Sequence, residues 1–280
     1  MADSNNISFY LSFKDVNPNW PLISCSFVNG SIAVFGIIFN LSVIWVTVQT
    51  KSFRGTVNYL LALCSFFELL HQLGNFLFVY TAFSGQNFIA YRLAVQIVFI
   101  SMFGLGGIYP AMLFIGIDRL IGIFFEEIHN KHKMRLYLTM ITLICIAFCV
   151  DFCVTLYQSI DLYGDQLITG CLIDFFKGPN PSIFRTSLVP LTITVYLLVG
   201  FVVKVKSSGF PSADEVNQRV FRALFCIIVI NVGGYLINAF YLNLIKPSIA
   251  SPITAWFVHF ITGIVVNIGA ASNAPILYFT

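Results

Sequence analysis

Four ionisable side chains lie well inside the apolar stretches of this sequence and are its first candidates for chemistry. Glu68 and His71 are three residues apart, so a helix would place both on one face. A Glu-x-x-His pair is half of a di-iron carboxylate site, but such a site needs a second pair and two further carboxylates from other helices. The other two ionisable residues, Asp151 and His259, are too few to complete it. The sequence therefore predicts no metal site and no cofactor, and the pair indicates polar contacts between packed helices.

Two short motifs near the ends of apolar stretches indicate a conformational switch. Asp118 precedes Arg119, and release of a charge-assisted pair between them would expose a fixed cation to a partner. In the last stretch, Pro275 removes a backbone donor and permits a kink that Asn273 can stabilise, and Tyr278 follows one turn later. Each motif alone is common at helix ends, whereas the combination is more specific. Because no Ser/His/Asp set and no nucleotide loop are present, we predict that the protein is not an enzyme.

The elements that position these residues follow from the composition. The chain has 280 residues, of which 58% are hydrophobic and 10% charged, with a mean hydropathy of +0.87. A water-soluble domain has about 25% charged residues, so a soluble globule and a disordered chain are both excluded. The net charge of +3 gives no basic footprint for nucleic acid.

Seven stretches are long enough to cross a bilayer, which takes about 20 mostly apolar residues in a helix. They cover residues 27–49, 58–82, 94–123, 136–157, 185–203, 220–244 and 253–279. We therefore predict an all-α membrane protein with a seven-transmembrane helix bundle over residues 27–279, preceded by an extracellular segment, residues 1–26.

The Lys and Arg residues indicate the orientation of this predicted bundle. With the N-terminus outside and the C-terminus inside, ten of the 15 basic residues fall at the inner ends of the helices, as the positive-inside rule requires. These ten are Lys51, Arg54, Arg119, Lys131, Lys133, Arg135, Lys204, Lys206, Arg219 and Arg222. The same orientation places Asn6, in the sequon Asn6-Ile7-Ser8, on the outside, where we expect glycosylation.

Polar side chains inside the predicted helices fall at two depths. Asn40, Glu68 and Asn267 each lie about ten residues, or roughly 15 Å, from the inner end of their helix and form a predicted mid-membrane polar layer. Such a layer either repacks between two states or holds the helices together without moving, and the residues alone favour neither. Nearer the outside lie Ser101, Asp151, Asn238, Tyr241 and His259, which predict an outward-opening pocket for a small molecule.

These residues stand in a pattern that resembles a known family. The sequence is similar to seven-helix G-protein-coupled receptors, and more narrowly to nematode serpentine chemoreceptors of the Srsx type, over about residues 30–280. The resemblance is carried by GIIFN at 36–40, LALCSFFELLHQLGN at 61–75, GIDRLIG at 116–122 and NAPILY at 273–278. It implies a chemosensory, olfactory receptor of the plasma membrane, with sensory cilia as one candidate compartment. The implied partners are an external small-molecule ligand, a heterotrimeric G protein and membrane lipid.

The resemblance also assigns roles to residues. Asp118 and Arg119 match the G-protein-coupling motif of helix 3, and Asn273, Pro275 and Tyr278 match the switch of helix 7. Glu68 takes the acidic position of helix 2 and Asn40 the Asn of helix 1, while Tyr235 in a helix 6 without proline is the candidate aromatic toggle of the pocket.

The chain departs from the family pattern at the outer end of helix 3. Residues 92–96 lack the usual Cys that bridges to the second extracellular loop, so the resemblance leaves Cys25 as the hypothetical partner of Cys171. The sequence ends two residues after Tyr278, and whether a longer tail exists stays open.

The sequence leaves more than one ligand class and more than one function open. Helix 7 has no Lys, which excludes a retinal Schiff base, and helix 3 has Ser101 in place of an amine-binding Asp. A neutral or weakly polar molecule fits best, and an anion drawn to Arg92 or Arg185, or a short peptide, stays open. The alternative functions are a transporter or channel that uses the mid-membrane polar layer, and a degenerate receptor that does not signal.

Overall fold

The computed structural model describes residues 9–50, 55–124, 131–176, 183–207, 226 and 229–279. Within these residues, five helices are long and apolar enough to cross a membrane. They are α1 (Trp20–Gln49), α2 (Thr56–Phe83, with a break at Gly74), α3 (Tyr91–Phe124), α4 (Lys131–Tyr163) and α7 (Pro252–Ala271). The bundle also contains α5 (Ile183–Ser207), α6 (residues 229–240) and α8 (Asn273–Phe279), which continues α7. The fold is the predicted all-α, seven-helix membrane architecture.

The first helix shows how the sequence sorts its faces between lipid and protein. Its buried stripe is made of small and polar residues at helical spacing, including Ser26, Gly30 and Ala33. Its large side chains point away from the bundle, since Trp45 is 67% exposed and Phe35 58%. In a membrane this arrangement is favourable, because lipid solvates the large apolar groups and small residues let helices approach closely.

The helix extends seven residues before residue 27, where the predicted membrane span begins. The helix begins at Trp20, where the Asn19 side chain accepts a hydrogen bond from the Leu22 backbone at 3.4 Å and Pro21 occupies the first turn. A hydrophobic window starts later than a polar cap, which explains the difference.

The centre of the bundle is α3, which packs against α2, α4 and α5. Its fully buried side chains include Met102, Leu105 and Ile108. At Gly104 the helix lies directly on the backbone of α2: a Cβ added there would lie 2.5 Å from the Phe67 carbonyl oxygen and 2.8 Å from the His71 nitrogen. Only glycine permits this close approach.

Replacing Gly104 with alanine is therefore expected to destabilise the fold by about 1–3 kcal/mol, because the contacting atoms are backbone and α3 must move away from α2. The thermal unfolding midpoint of the purified protein in detergent micelles measures the effect. Gly122, also in α3, has no atom within 4 Å of an added Cβ, so Gly122→Ala is the matched control and should leave the midpoint unchanged or slightly raised. Equal midpoints for the two variants would contradict the packing argument.

One end of the bundle carries residues 9–19 and the loops at 84–90, 164–176 and 246–251, and we call it the N-side end. We call the opposite end the C-side end. At the N-side end, β1 (Ile89–Ala90) pairs antiparallel with β2 (Leu167–Ile168). Two further backbone bonds continue this ladder into α3, from the Tyr91 nitrogen to Gln166 and from the Arg92 nitrogen to Gly164. The Asn87 side chain donates to the carbonyl oxygens of Phe13 and Val16 at 3.1 and 2.8 Å. These contacts fold the N-terminal residues and the loops into a cover over the helix ends.

Candidate ligand cavity and polar networks

A cavity of about 460 Å³ lies beneath this cover at the N-side end. Its walls are largely aromatic and aliphatic, with Phe9 from the N-terminal residues, Phe88 from the α2–α3 loop and Trp256 from the first turn of α7. Ring contacts join these walls, since Phe9 lies 5.1 Å from Trp256 and 6.1 Å from Phe88. The volume is that of a small-molecule site, and the lining combines apolar side chains with polar groups.

Three titratable side chains line the cavity: Asp174, Lys246 and His259. The Asp174 carboxylate accepts hydrogen bonds from the Thr169 backbone (2.9 Å), the Thr169 hydroxyl (2.7 Å) and the Trp256 indole (3.0 Å). It is 5% exposed, so its binding capacity is largely used within the protein. Asp174 thus fastens the 3₁₀ turn Leu172–Phe175 to the start of α7 and shapes the cavity wall.

The two nitrogen-bearing groups have no comparable partners. Lys246 lies on an exposed turn after α6, and burial of its ammonium group by the cavity walls lowers its pKa, which the Asp174 charge opposes. Within the described part of the chain the one ion pair joins Lys14 to Asp15, so Asp174 does not hold Lys246. His259 is 5% exposed, and its Nε2 atom has no hydrogen-bond partner.

The structure disperses most of the predicted pocket residues. His259 lines the cavity, and the Tyr241 ring stacks on it with centroids 5.3 Å apart while its hydroxyl donates to the Ala255 carbonyl. The others bind neighbouring helices: Ser101 donates to the His71 carbonyl at 2.7 Å, Tyr235 packs 4.7 Å from Tyr109, and Asn238 accepts from Thr262 at 2.9 Å.

The placement of Asp151 in the pocket is wrong. The buried stripe of α4 runs through Cys145, Cys149, Phe152 and Leu156, and Asp151 lies off this stripe on the exposed face. Depth along a helix fixes the height of a residue and not the direction in which it points.

The hypothetical Cys25–Cys171 bridge is not formed in the structure. Cys25 and Cys171 lie in one apolar cluster, and both are free thiols. A backbone ladder that joins residues 89–92 to residues 164–168 attaches the α4–α5 loop to the start of α3.

The residues of the predicted mid-membrane layer do not form one cluster, because Asn267 and Glu68 belong to two separate hydrogen-bond networks. The first joins α1, α2 and α7 through amides: Asn29 donates to Asn75 at 2.7 Å, Asn267 donates to Asn29 at 2.8 Å, and Asn75 donates to the Gln72 side chain at 3.0 Å. Asn267 therefore binds residues that the predicted layer does not include, namely Asn29, Asn75 and Gln72. Asn40 is also buried but donates to the Ala270 carbonyl at 2.9 Å.

The second network lies closer to the C-side end and contains Glu68. This carboxyl group is fully buried and accepts from the Cys64 thiol at 3.8 Å and from the Asn273 amide. Asn273 in turn accepts from Asn231 in α6 at 3.0 Å. Three helices, α2, α6 and the α7–α8 junction, are thus connected through one buried chain of polar side chains.

The junction itself is a break in the seventh membrane helix. Pro275 has no backbone N–H, so the Ala271 carbonyl one turn earlier loses its helical donor, and α7 ends there. Ser272 stands between the two helices and donates its hydroxyl to Gly269 at 2.7 Å. The helix therefore breaks next to Asn273, and Tyr278 lies on the outer surface, 64% exposed.

At the C-side end, the predicted Asp118–Arg119 pair is not formed. Asp118 accepts from the Thr56 hydroxyl in α2 at 3.0 Å, and no ion pair within 4 Å joins it to Arg119 in this described helix. Consecutive residues on a helix point about 100° apart, so adjacency in sequence does not bring the groups together. Arg119 is half-buried, and its Nε atom has no hydrogen-bond partner among the described residues.

Some predicted sites lie outside the described residues. These are Asn6, the basic residues Lys51, Arg54, Arg219 and Arg222, and the predicted start of helix 6 at residue 220. The side chains of Lys131, Lys133, Arg185, Lys204 and Lys206 are likewise outside the description.

Comparison with known proteins identifies the family. No curated protein matches the chain. A family model described as the serpentine type 7TM GPCR chemoreceptor Srsx matches residues 33–280, which covers every membrane helix except the first turns of α1. This is a receptor family and not an enzyme family, and the helices are those of a multi-pass membrane protein. The chain therefore belongs to the Srsx family of serpentine seven-transmembrane G-protein-coupled chemoreceptors.

Proposed function

We propose that this chain binds an external small molecule in the N-side cavity and activates a heterotrimeric G protein at the C-side end. The N-side end then faces the outside of the plasma membrane, with Asn6 as a glycosylation site, and sensory cilia are a candidate compartment. The positions of Arg119 and Arg135 at the C-side ends of α3 and α4 support this orientation through the positive-inside rule.

One observation carries the proposal: the same membrane helix lines the cavity and anchors the buried network. Trp256 and His259 lie in the first turns of α7 at the cavity, and Asn273 follows its break. Asn273 follows His259 by 14 positions, which correspond to about 21 Å along a helix. A ligand that moves the start of α7 therefore changes how Asn273 meets Glu68 and Asn231.

The mechanism is a shift between two packings of the helix bundle. A ligand shifts the population by as much as its affinity differs between the two states. The described packing joins α6 to α8 through Asn231 and Asn273 and holds Asp118 on Thr56. Exchange of these contacts moves α6 relative to α3 and opens the C-side end, where Arg119 meets the G protein.

A screen tests the proposal in cells that express the chain with a promiscuous G protein and report second-messenger release. Filling the cavity with Ala255→Trp should raise the half-maximal concentration of any agonist at least about tenfold, a loss of about 1.4 kcal/mol. Ala255 lines the cavity, whereas Ala239 is exposed on α6, so Ala239→Trp is the matched control. An agonist whose half-maximal concentration is the same for both variants would show that it does not bind in this cavity.

A further inference from the structure

We propose that the cavity recognises a small organic acid with an apolar body, whose carboxylate binds Lys246 and whose second polar contact is His259. This inference rests on the proposed function and deepens it by naming the ligand class.

The polar groups of the cavity differ in how many further hydrogen bonds or ion pairs they can form with a ligand. Asp174 is 5% exposed and already accepts two hydrogen bonds at Oδ2 and one at Oδ1, so little of its acceptor capacity remains for a cationic ligand. Lys246 has three donors, and no described acidic group pairs with it. A carboxylate satisfies this ammonium without breaking an existing contact.

His259 supplies the second observation that points to a ligand. Its imidazole lines the cavity and is 95% buried, and Tyr241 holds one face of the ring, yet Nε2 has no partner. A buried polar atom without a partner destabilises the folded protein, and a ligand oxygen that accepts a hydrogen bond from Nε2 would recover this loss. Ligand binding thus gives the buried Nε2 atom a partner and brings an anionic group to Lys246.

The remaining walls determine the body of the ligand. Phe9, Phe88, Ile173 and Trp256 offer aromatic and aliphatic surface, and the 460 Å³ volume holds a chain or ring of modest size. The acid therefore carries an alkyl or aryl group and is not a highly hydroxylated one.

The second cavity at the N-side end fits an anion less well. Arg92 lines it together with Asp161 and Asp165, so two carboxylates face one guanidinium there. This charge balance favours Lys246 over Arg92 as the anchor of an anionic ligand.

Direct binding to the purified chain in lipid nanodiscs tests the inference without a G protein. The probes are straight-chain acids from butanoate to decanoate and phenylacetate, each compared with its neutral amide and with the corresponding amine. At least one acid should bind more tightly than its amide and amine. Lys246→Met should lower the affinity for that acid by about ten- to a hundredfold and leave the affinity for the amide unchanged, whereas Lys246→Arg should retain acid binding.

The outcomes separate the ligand class from the proposed function. Failure of every acid to bind, equal affinity for acid, amide and amine, or acid binding that is unchanged in Lys246→Met would each overturn the inference. Acid binding that depends on Lys246 supports it even when no nucleotide exchange follows, and that second result would count against the proposed function alone.

Discussion

Replacing Arg119 with alanine is expected to lower agonist-stimulated nucleotide exchange on the G protein by about ten- to a hundredfold, the loss of about 1.5–3 kcal/mol of charge-assisted contact. The half-buried guanidinium has no ion pair with Asp118, and its Nε atom is unpartnered in the described structure. The Asp118 charge acts on Arg119 only from beyond ion-pair distance, so surface expression and agonist affinity in the absence of G protein should persist. Exchange on purified G protein and binding by flow cytometry measure the two effects separately.

Arg135 provides the matched control for Arg119. It lies at the same end of the bundle, on the exposed face of α4, and carries the same charge. Arg135→Ala should change exchange little, because an exposed charge at the rim of a contact contributes little affinity. Equal losses in the two variants would show that general basic charge attracts the partner, and unchanged exchange in Arg119→Ala would exclude its assigned role.

The membrane helices were predictable from sequence because a bilayer imposes a length on each apolar stretch. The stretches at 58–82 and 94–123 fall within α2 and α3, whose ends extend a few residues further. Polar caps such as Asn19 lie outside a hydrophobic window, so helix ends were predicted less well than helix centres.

The polar networks were only partly predictable, since depth is one coordinate out of three. Counting from helix ends placed Asn40, Glu68 and Asn267 at one level. The partners of Glu68 and Asn267 also depend on rotation and tilt, which brought Asn273 to Glu68 and Asn29 to Asn267. The repeated occurrence of Asn on one face of α1, at 29 and 40, was a signal that could have identified the first network.

The cavity could not be predicted in full because loops form much of its wall, and loop sequences lack the hydrophobic periodicity from which helices are predicted. Asp174 and Lys246 are ordinary surface residues by sequence, and they line one cavity only because β2 and the 3₁₀ turn Leu172–Phe175 fold over the helix ends. His259 was recognised because an ionisable residue in an apolar helix is costly and therefore conspicuous.

Breaking the Asn273–Glu68 contact is expected to destabilise the folded receptor and abolish signalling together. Asn273→Leu leaves the fully buried Glu68 carboxyl without its amide donor and removes the acceptor of Asn231. The loss of a donor to a buried carboxyl group should cost about 2–4 kcal/mol. Thermal unfolding in nanodiscs measures this cost, and agonist-stimulated exchange measures signalling. Asn243 is exposed, and its side chain donates to the Ala239 carbonyl one turn away, the one bond of this side chain within the described structure, so Asn243→Leu is a control with little expected effect.

The double variant separates stability from signalling. Removing both polar groups, with Glu68→Leu and Asn273→Leu together, leaves no unpaired carboxyl, so the destabilisation should be about 1–3 kcal/mol smaller than the sum of the single variants. Signalling should not return, because the connection from α6 through Asn273 to α2 is still absent. Additive destabilisation would show that the two side chains do not stabilise each other. Recovery of exchange in the double variant would show that their contact holds the bundle together and does not transmit ligand binding.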